Sequence, residues 1–543
     1  MSGILLIVFA IIMFSAAYRI YGGFITKRLS VSNQNETPSH TMYDGVDYCP
    51  AKPPVLLGHH FASIAGAGPI VGPIIAASFG WVPVYLWVLF GATLIGGVHD
   101  YTSIVASIRH KGKSIGQIIE TYIGISGKKL FLIFTWSTLV LVIAVFALIV
   151  SDTFHHIPSS GTSSILFIIL AVGFGFAINR WKFPLLISSV IGVSLLSLCI
   201  YVGNVYPIYL SKETWILILL VYIFIASVTP VWILLQPRDY LNSFFLYSLI
   251  LGGVIGLFFT MPEVHLAPVT SFSVDKLGYL FPALFVIVAC GAISGFHSIV
   301  GSGTTAKQLD KEKDARVIGY GGMLIEGLLA ILALLSVAAL DQFHFIELLE
   351  SKGAVPAFSA GVANFLHNIP LLGIQTEHAA GFAALAVSAF ALTSLDTATR
   401  LGRYSFQEFF EKSDKKEQSI FVKNRFVATA ITVGFGAALT FSGQSMAIWP
   451  VFGSANQLLA AIALLALTVW IGKLKLNYIF ILIPTIFMFA VTLTALATLI
   501  YNNLINNNFP LTIISLLLFV LAVILVFQAY KVFNNKEENS VLA

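Results

Sequence analysis

Three histidines set in apolar surroundings carry the chemistry that this sequence offers. His59 and His60 stand side by side in the stretch Gly58-His59-His60-Phe61-Ala62-Ser63-Ile64-Ala65-Gly66-Ala67-Gly68-Pro69, and His297 stands in Phe296-His297-Ser298-Ile299-Val300-Gly301-Ser302-Gly303. Imidazole titrates near neutral pH, so each is a proton carrier, a partner for a carboxylate, or a buried ring bonded to a backbone carbonyl. His60 lies ~9 Å along a helix from Gly66, and His297 one helical turn before Gly301. His59 points elsewhere on its helix.

What must position these rings is a pair of interrupted helices. Pro69 has no amide to donate and pushes Gly68 out of the α region, and Gly66, Gly72 and Pro73 weaken the helix further. The expected result is two half-helices meeting at an unwound joint, which at bilayer depth is tolerated only where protein or a water-filled cavity satisfies the backbone. The second stretch matches the first at Phe, Ser, Ile and both glycines, which places a second break at Gly301–Gly303. Half-helix N-termini offer amides and a positive dipole end to a carboxylate, and Ser302, Thr304 and Thr305 add hydroxyls. The candidate substrate-binding residues are His60, Ala65, Gly66, Ala67, Gly68, His297, Gly301, Ser302, Gly303, Thr304 and Thr305. The glycines equally suit close packing between membrane helices.

Glu326, Ser394, Asp396, Thr397 and Asp100 form the candidate ion-coupling set. Glu326 falls near mid-bilayer with no opposite charge within one helical turn, so it reads as a coupling carboxyl protonated at rest or as a neutral packing residue. Asp100 falls near the cytoplasmic end of its span, within reach of solvent or Arg109, and suits a structural role. Asp396 and Arg400 are four apart on one helix and are expected to pair. The hydroxyls of Thr393, Ser394 and Thr397, with the carbonyls of Ala62 and Ala65, could ligate Na⁺ or simply satisfy helix carbonyls. Lys307, Gln308 and Asp310 read as topology and gate, and Asn456 and Gln457 as cavity lining or helix-to-helix hydrogen bonding.

Composition sets these residues in a membrane. The chain has 543 residues, 57% of them hydrophobic and 10% charged, with a mean hydropathy of +0.90. That excludes a soluble globular protein, and continuous apolar runs exclude a β-barrel. The fold class is therefore all-α and polytopic. About fifteen apolar segments of spanning length fall near 3–22, 57–78, 82–107, 129–151, 163–179, 183–204, 214–235, 240–261, 278–306, 317–340, 378–400, 425–443, 447–471, 477–502 and 509–531. Alternation then leaves only Lys212, Lys276 and Lys352, of 30 Lys and Arg residues, on the outer face. The N-terminus is expected outside and the C-terminus inside. Cys49, Cys199 and Cys290 are too few and too scattered for a disulfide framework or a metal site.

Further matches run in a common order. Gly91–Gly97 resembles Gly321–Gly327, Phe146-Ala147-Leu148 with Asp152-Thr153 resembles Phe390-Ala391-Leu392 with Asp396-Thr397, and Val172–Gly175 resembles Val433–Gly436. An odd number of helices between the two broken spans makes the repeats face opposite ways. The organisation expected is an extra helix and loop (1–56), a five-helix repeat (57–204), a two-helix insertion (205–277), a second five-helix repeat (278–471), and two C-terminal helices with a short tail (472–543).

Several longer motifs are specific: Asp44-Gly45-Val46-Asp47-Tyr48, the opening histidine-glycine stretch, Pro230-Val231-Trp232 with Gln236-Pro237-Arg238-Asp239-Tyr240-Leu241, Ser302-Gly303-Thr304-Thr305, Ser394–Arg400, and Trp449-Pro450 with Asn456-Gln457. Over most of its length the chain resembles the carbon starvation protein A family of bacterial inner-membrane transporters. The resemblance implies the leucine-transporter fold and uptake of peptides or pyruvate, with a proton as the expected coupling ion and sodium the alternative. No cofactor is expected, and no G-x-x-x-x-G-K-[ST] motif marks ATP as the motor. No HExxH or nucleophile elbow points to an enzyme. The partners expected are a small carboxylate or peptide and the lipid bilayer, with no nucleic acid. The competing class is a nutrient sensor or channel-like protein without coupled turnover.

Overall fold

A computed structural model describes residues 2–45, 48–275, 277–370, 373–411, 418–442 and 445–534. Val46 and Asp47 of the Asp44–Tyr48 motif, and Lys276, lie outside the described residues. The chain is a bundle of long helices with one small hairpin, β1 (Ser273–Val274) against β2 (Gly278–Tyr279). Among the described residues, eleven helices are long and apolar enough to cross a membrane, and a bent pair makes a twelfth. Three of the expected spans are built from helices too short to meet that length: Lys212–Val228, Arg425–Thr440, and the pair Leu280–Ile287 with Gly295–Gly303.

In chain order, α1 is Gly3–Arg28, and the first broken span is α2 (Pro53–Ala65) with α3 (Gly68–Ala76). Then come α4 (Trp81–Phe90), a π-helical turn at Gly91–Gly96, and α5 (Gly97–Arg109). They are followed by α6 (Ile115–Tyr122), α7 (Ile125–His156), α8 (Pro158–Asn179), α9 (Leu185–Val205), α10 (Lys212–Val228) and α11 (Leu235–Thr260). The second broken span is α12 (Leu280–Ile287) with α13 (Gly295–Gly303), and a second π-turn at Arg316–Gly321 leads into α14 (Gly322–Ala338). The remainder are α15 (Gln342–Lys352), α16 (Ala354–His367), α17 (Thr376–Phe410), α18 (Arg425–Thr440), α19 (Ser445–Lys473), α20 (Ile479–Ile505) and α21 (Phe509–Asn534).

The first break forms as its residues dictate. Pro53 and Pro54 open α2, whose run ends at Gly66 with φ +40°, and Gly68-Pro69 restarts the helix at a 41° bend. A Cβ at Gly66 would lie 2.8 Å from Ser394 Oγ, so backbone angle and close approach both require glycine there. The second break does not fall at Gly301–Gly303. It occupies Val288–Ser294, before the matched motif, and α13 runs unbroken through Gly301 and Ser302. The physical reason is packing: Gly301 lets Ile104 approach and Gly303 faces Leu401, so these glycines bring helices together. The two breaks nevertheless meet, with Gly68 against Cys290 and Pro69 against Gly291.

Burial separates a central group from a lipid-facing rim. The most apolar stretch of α19 is 94% buried and that of α14, with its π-turn, 83%, whereas α1 is 28% and α9 22% buried. Between α1 and α2, residues 29–45 strap across the loop after α13. Ser39 Oγ donates to the Leu309 carbonyl, Thr37 Oγ1 to that of Asp310, and Glu312 accepts from Ser32 N, Asn35 Nδ2 and Arg109 Nε.

Candidate functional site

At the centre, His297 joins three helices. Its Nδ1 lies 2.9 Å from Asp100 Oδ2 on α5, and its Nε2 3.4 Å from Glu326 Oε2 on α14. Asp100 Oδ1 is 2.7 Å from His99 Nδ1. All four side chains are fully buried, and no Lys or Arg is bonded to them among the described residues. The expectation that solvent or Arg109 reaches Asp100 is therefore wrong. Its span continues past a π-turn and sinks Asp100 among helices, while Arg109 turns to Glu312 at 2.6 Å. Glu326 does have a partner, supplied by another helix.

His60 belongs to the same neighbourhood. Its Nδ1 lies 2.8 Å from Thr305 Oγ1, tying α2 to the turn after α13, and its Nε2 faces Gly322, one turn before Glu326. Ser302 and Thr304 turn their hydroxyls back onto the Ser298 and Val300 carbonyls of their own helix, so among the expected hydroxyl donors only Thr305 reaches across.

A second buried cluster sits behind the first break. Arg238, in the first turn of α11, donates Nη2 to Asp239 Oδ1 at 2.7 Å and Nη1 to Asp396 Oδ2, which also accepts from Tyr222 Oη at 2.7 Å. His59 Nδ1 lies 3.0 Å from Asp239 Oδ2. The adjacent residues His59 and His60 thus each serve one cluster. The expected Asp396–Arg400 pair does not form. Arg400 instead donates Nη2 to the carbonyls of Ala226 and Thr229, which the end of α10 leaves without helical partners.

The half-helix N-termini are less open than expected. Asn456 on α19 accepts the Phe296 amide at 2.9 Å and bonds Ser294, capping α13 where a substrate carboxylate was expected. Gln457 donates to the Phe285 carbonyl beside the same break. Ser394 Oγ donates to the Ser63 carbonyl at 3.1 Å and Thr393 Oγ1 to that of Ala389, while Thr397 Oγ1 is buried without a partner. Gln308 accepts from Gln236 Nε2, and Asp310 meets His40, so this loop is tied to α11 and to the strap.

These motifs align with one known group. The profile described as Carbon starvation protein CstA matches residues 2–355 and 346–495. The chain belongs to that family. It is 32% identical over 511 residues to the peptide transporter CstA of Bacillus subtilis (strain 168), covering 86% of this chain and 84% of that one. It is 30% identical over 598 residues to the pyruvate/proton symporter BtsT of Escherichia coli (strain K12), covering 92% and 82%. Among solved structures, a manganese transporter of Eremococcus coleocola overlays with a TM-score of 0.48 at 10% identity, covering 88% of this chain and 94% of that one.

In this CstA-family chain, sequence reasoning missed His99, Tyr222, Arg238 and Asp239, and gave His59 too little weight. Arg238 and Asp239 were assigned to the short loop between two apolar segments. The signal that could have found them is Pro237, which suits the first turn of a helix and lacks the amide that turn leaves unbonded, so Gln236–Asp239 reads equally as a helix start.

Proposed function

We propose that this chain is a secondary transporter that imports a small carboxylate nutrient, pyruvate or a short peptide, together with a proton. The observation that carries this reading is the buried Asp100–His297–Glu326 chain. Two carboxylates face one imidazole with no fixed cation bonded to them among the described residues. A buried carboxylate is costly without a compensating positive charge, so admitting a third, on the substrate, calls for a proton to enter with it. The activities for which the relatives are named, peptide transport and pyruvate/proton symport, support the same reading.

The substrate carboxylate meets the N-terminal end of α3 at Ala67–Gly68 and the open backbone at Cys290–Ser294, with His60 and His297 on either side. In the closed arrangement described above, Gly68 and Cys290 are in contact, so these segments must part to admit it. Sodium is the second candidate ion, and the hydroxyls of Ser394 and Thr393 already join helix carbonyls. Counting the three shorter elements gives fifteen spans, with repeats at 57–204 and 278–471, the basic loops cytoplasmic, and the N-terminus outside, in a bacterial inner membrane. The role is nutrient uptake during carbon starvation.

The test is uptake of labelled pyruvate and labelled dialanine in proteoliposomes, first with an imposed pH gradient and then with a sodium gradient. Accumulation of one solute driven by the pH gradient is expected. Accumulation that follows sodium and ignores pH, or none of either solute, overturns the proposal.

A further inference from the structure

A cavity of about 350 Å³ lies on the face bearing the basic loops, away from the buried histidines. Ile299 and Gly303 of α13 line it, so the short half-helix whose first turn carries His297 ends in its wall. Gly303 stands six residues past His297, about 9 Å along the helix, and neither His297 nor His60 lines the cavity.

Its chemistry has two poles. Lys307 Nζ sits 5.2 Å from the ring centre of Tyr48 and 5.7 Å from that of Tyr404, held by aromatic faces with no carboxylate paired to it among the described residues. Glu408, whose side chain is 14% exposed, lines the same cavity near enough to feel the Lys307 charge without forming an ion pair with it. Ser114 Oγ lies 3.1–3.2 Å from both of its oxygens, and Lys128 Nζ is 3.9 Å from Oε1, too far for a tight hydrogen bond. Phe131, Leu132 and Leu401 line the wall as well. A simple anion would find Lys307 but also meet Glu408 and the exposed Glu411; a simple cation would meet Lys307. A molecule with a carboxylate at one end and an ammonium at the other satisfies both poles. The volume falls in the range of about 300–1,000 Å³ that small-molecule sites occupy.

We propose that this cavity is a second binding site, for a small zwitterion carrying a free carboxylate and a free ammonium group, with Lys307 receiving the first and Glu408 the second. Its cytoplasmic sidedness rests on the topology proposed above; its existence does not, and it is tested without transport.

The experiment places a reporter in the cavity wall. Gln117, half-buried there, is replaced in Gln117→Cys, and its alkylation rate is measured in the detergent-purified full chain against dialanine, N-acetyl-dialanine and dialaninamide. Dialanine is expected to slow alkylation. Lys307→Gln is expected to weaken protection by dialanine roughly tenfold and leave that by dialaninamide unchanged, whereas Glu408→Gln weakens dialanine to the same degree and spares N-acetyl-dialanine, a tenfold change being about 1.4 kcal/mol. Variants that merely disturb the fold move all three ligands together. No protection by dialanine at any concentration up to its solubility overturns the proposal, as does protection indifferent to both substitutions. Failure of gradient-driven uptake, by contrast, overturns the transport reading and leaves this result standing.

Discussion

His297 Nδ1 on the second half-helix approaches Asp100 Oδ2 on α5 at 2.9 Å, and the same ring turns its other nitrogen to Glu326. One imidazole thus bridges two carboxylates from different helices, in a region sealed from solvent. If this is where the coupling proton resides, Glu326→Gln removes the ionisable carboxyl while keeping the shape. Uptake driven by a pH gradient is expected to be lost, whereas exchange of substrate across the membrane without a gradient survives. Counterflow with labelled substrate separates the two; retention of pH-driven accumulation in Glu326→Gln would remove this residue from the coupling mechanism.

Arg238 predicts a stability effect. It is the one guanidinium for Asp239 and Asp396 in a fully buried cluster, so Arg238→Met leaves two carboxylates without their cation. Breaking a buried pair from one side costs about 3–5 kcal/mol, while replacing the group with apolar residues can be close to neutral. Thermal stability in detergent should drop sharply for the single variant and recover in the triple variant Arg238→Met, Asp239→Leu, Asp396→Leu. Equal losses in both would show that the pairing is not what the arginine supplies.

How much of this was legible beforehand depends on which force fixed each feature. Apolar length located the long helices, as with the segment near 129–151 that became Ile125–His156. Backbone chemistry located the first break, because Gly66 and Pro69 act locally. The second break was misplaced because Gly301 and Gly303 serve packing against Ile104 and Leu401, a tertiary use that local sequence cannot distinguish from an unwound joint. Asp100 and Asp396 were assigned to their neighbours in sequence, Arg109 and Arg400. Their real partners, His297 and Arg238, come from other helices and were beyond any spacing argument.

Gly66 offers a test of the first break. With φ +40° and ψ −155° it occupies backbone space reserved for glycine, and a Cβ there would meet Ser394 Oγ at 2.8 Å and the Phe146 ring at 3.2 Å. Gly66→Ala is expected to abolish uptake and lower thermal stability by about 1–3 kcal/mol, the range for such strained backbone. Adding Ser394→Ala relieves the contact and not the angle, so the double variant should stay impaired. Full recovery would assign the cost to crowding alone.

A pH effect is expected in the loop region at α15. Asp341 caps that helix through the Phe343 and His344 amides and faces the His344 ring, which holds the Asp341 carboxyl below its usual 3.8 and raises His344 above 6.5. The lowered carboxylate contributes stability above pH 3.8, lost as pH falls through its folded value. The raised histidine contributes below pH 6.5, lost as pH rises through its folded value. Both act together between those two values, so backbone hydrogen exchange in 342–352, corrected for intrinsic pH dependence, should be slowest there. A flat profile in Asp341→Asn with a peaked one in the wild-type chain would assign the effect to this pair.

Glu312 makes the last prediction, about the strap. Its carboxylate is fully buried at the basic face, accepting from Ser32 N at 2.9 Å, Asn35 Nδ2 at 2.7 Å and Arg109 Nε at 2.6 Å. One acceptor therefore fastens residues 29–45 to both α5 and the loop after α13, and three donors lose their partner if it goes. Charged hydrogen bonds of this kind are worth about 1.5–3 kcal/mol each, enough to loosen a segment otherwise tied by Thr37, Ser39, His40 and Ala51. Glu312→Ala is expected to speed tryptic cleavage after Arg28, with Glu312→Gln intermediate because its amide oxygen still accepts. Cleavage at the wild-type rate in both variants would mean that the contacts of Thr37, Ser39, His40 and Ala51 with 308–310 hold the strap without Glu312.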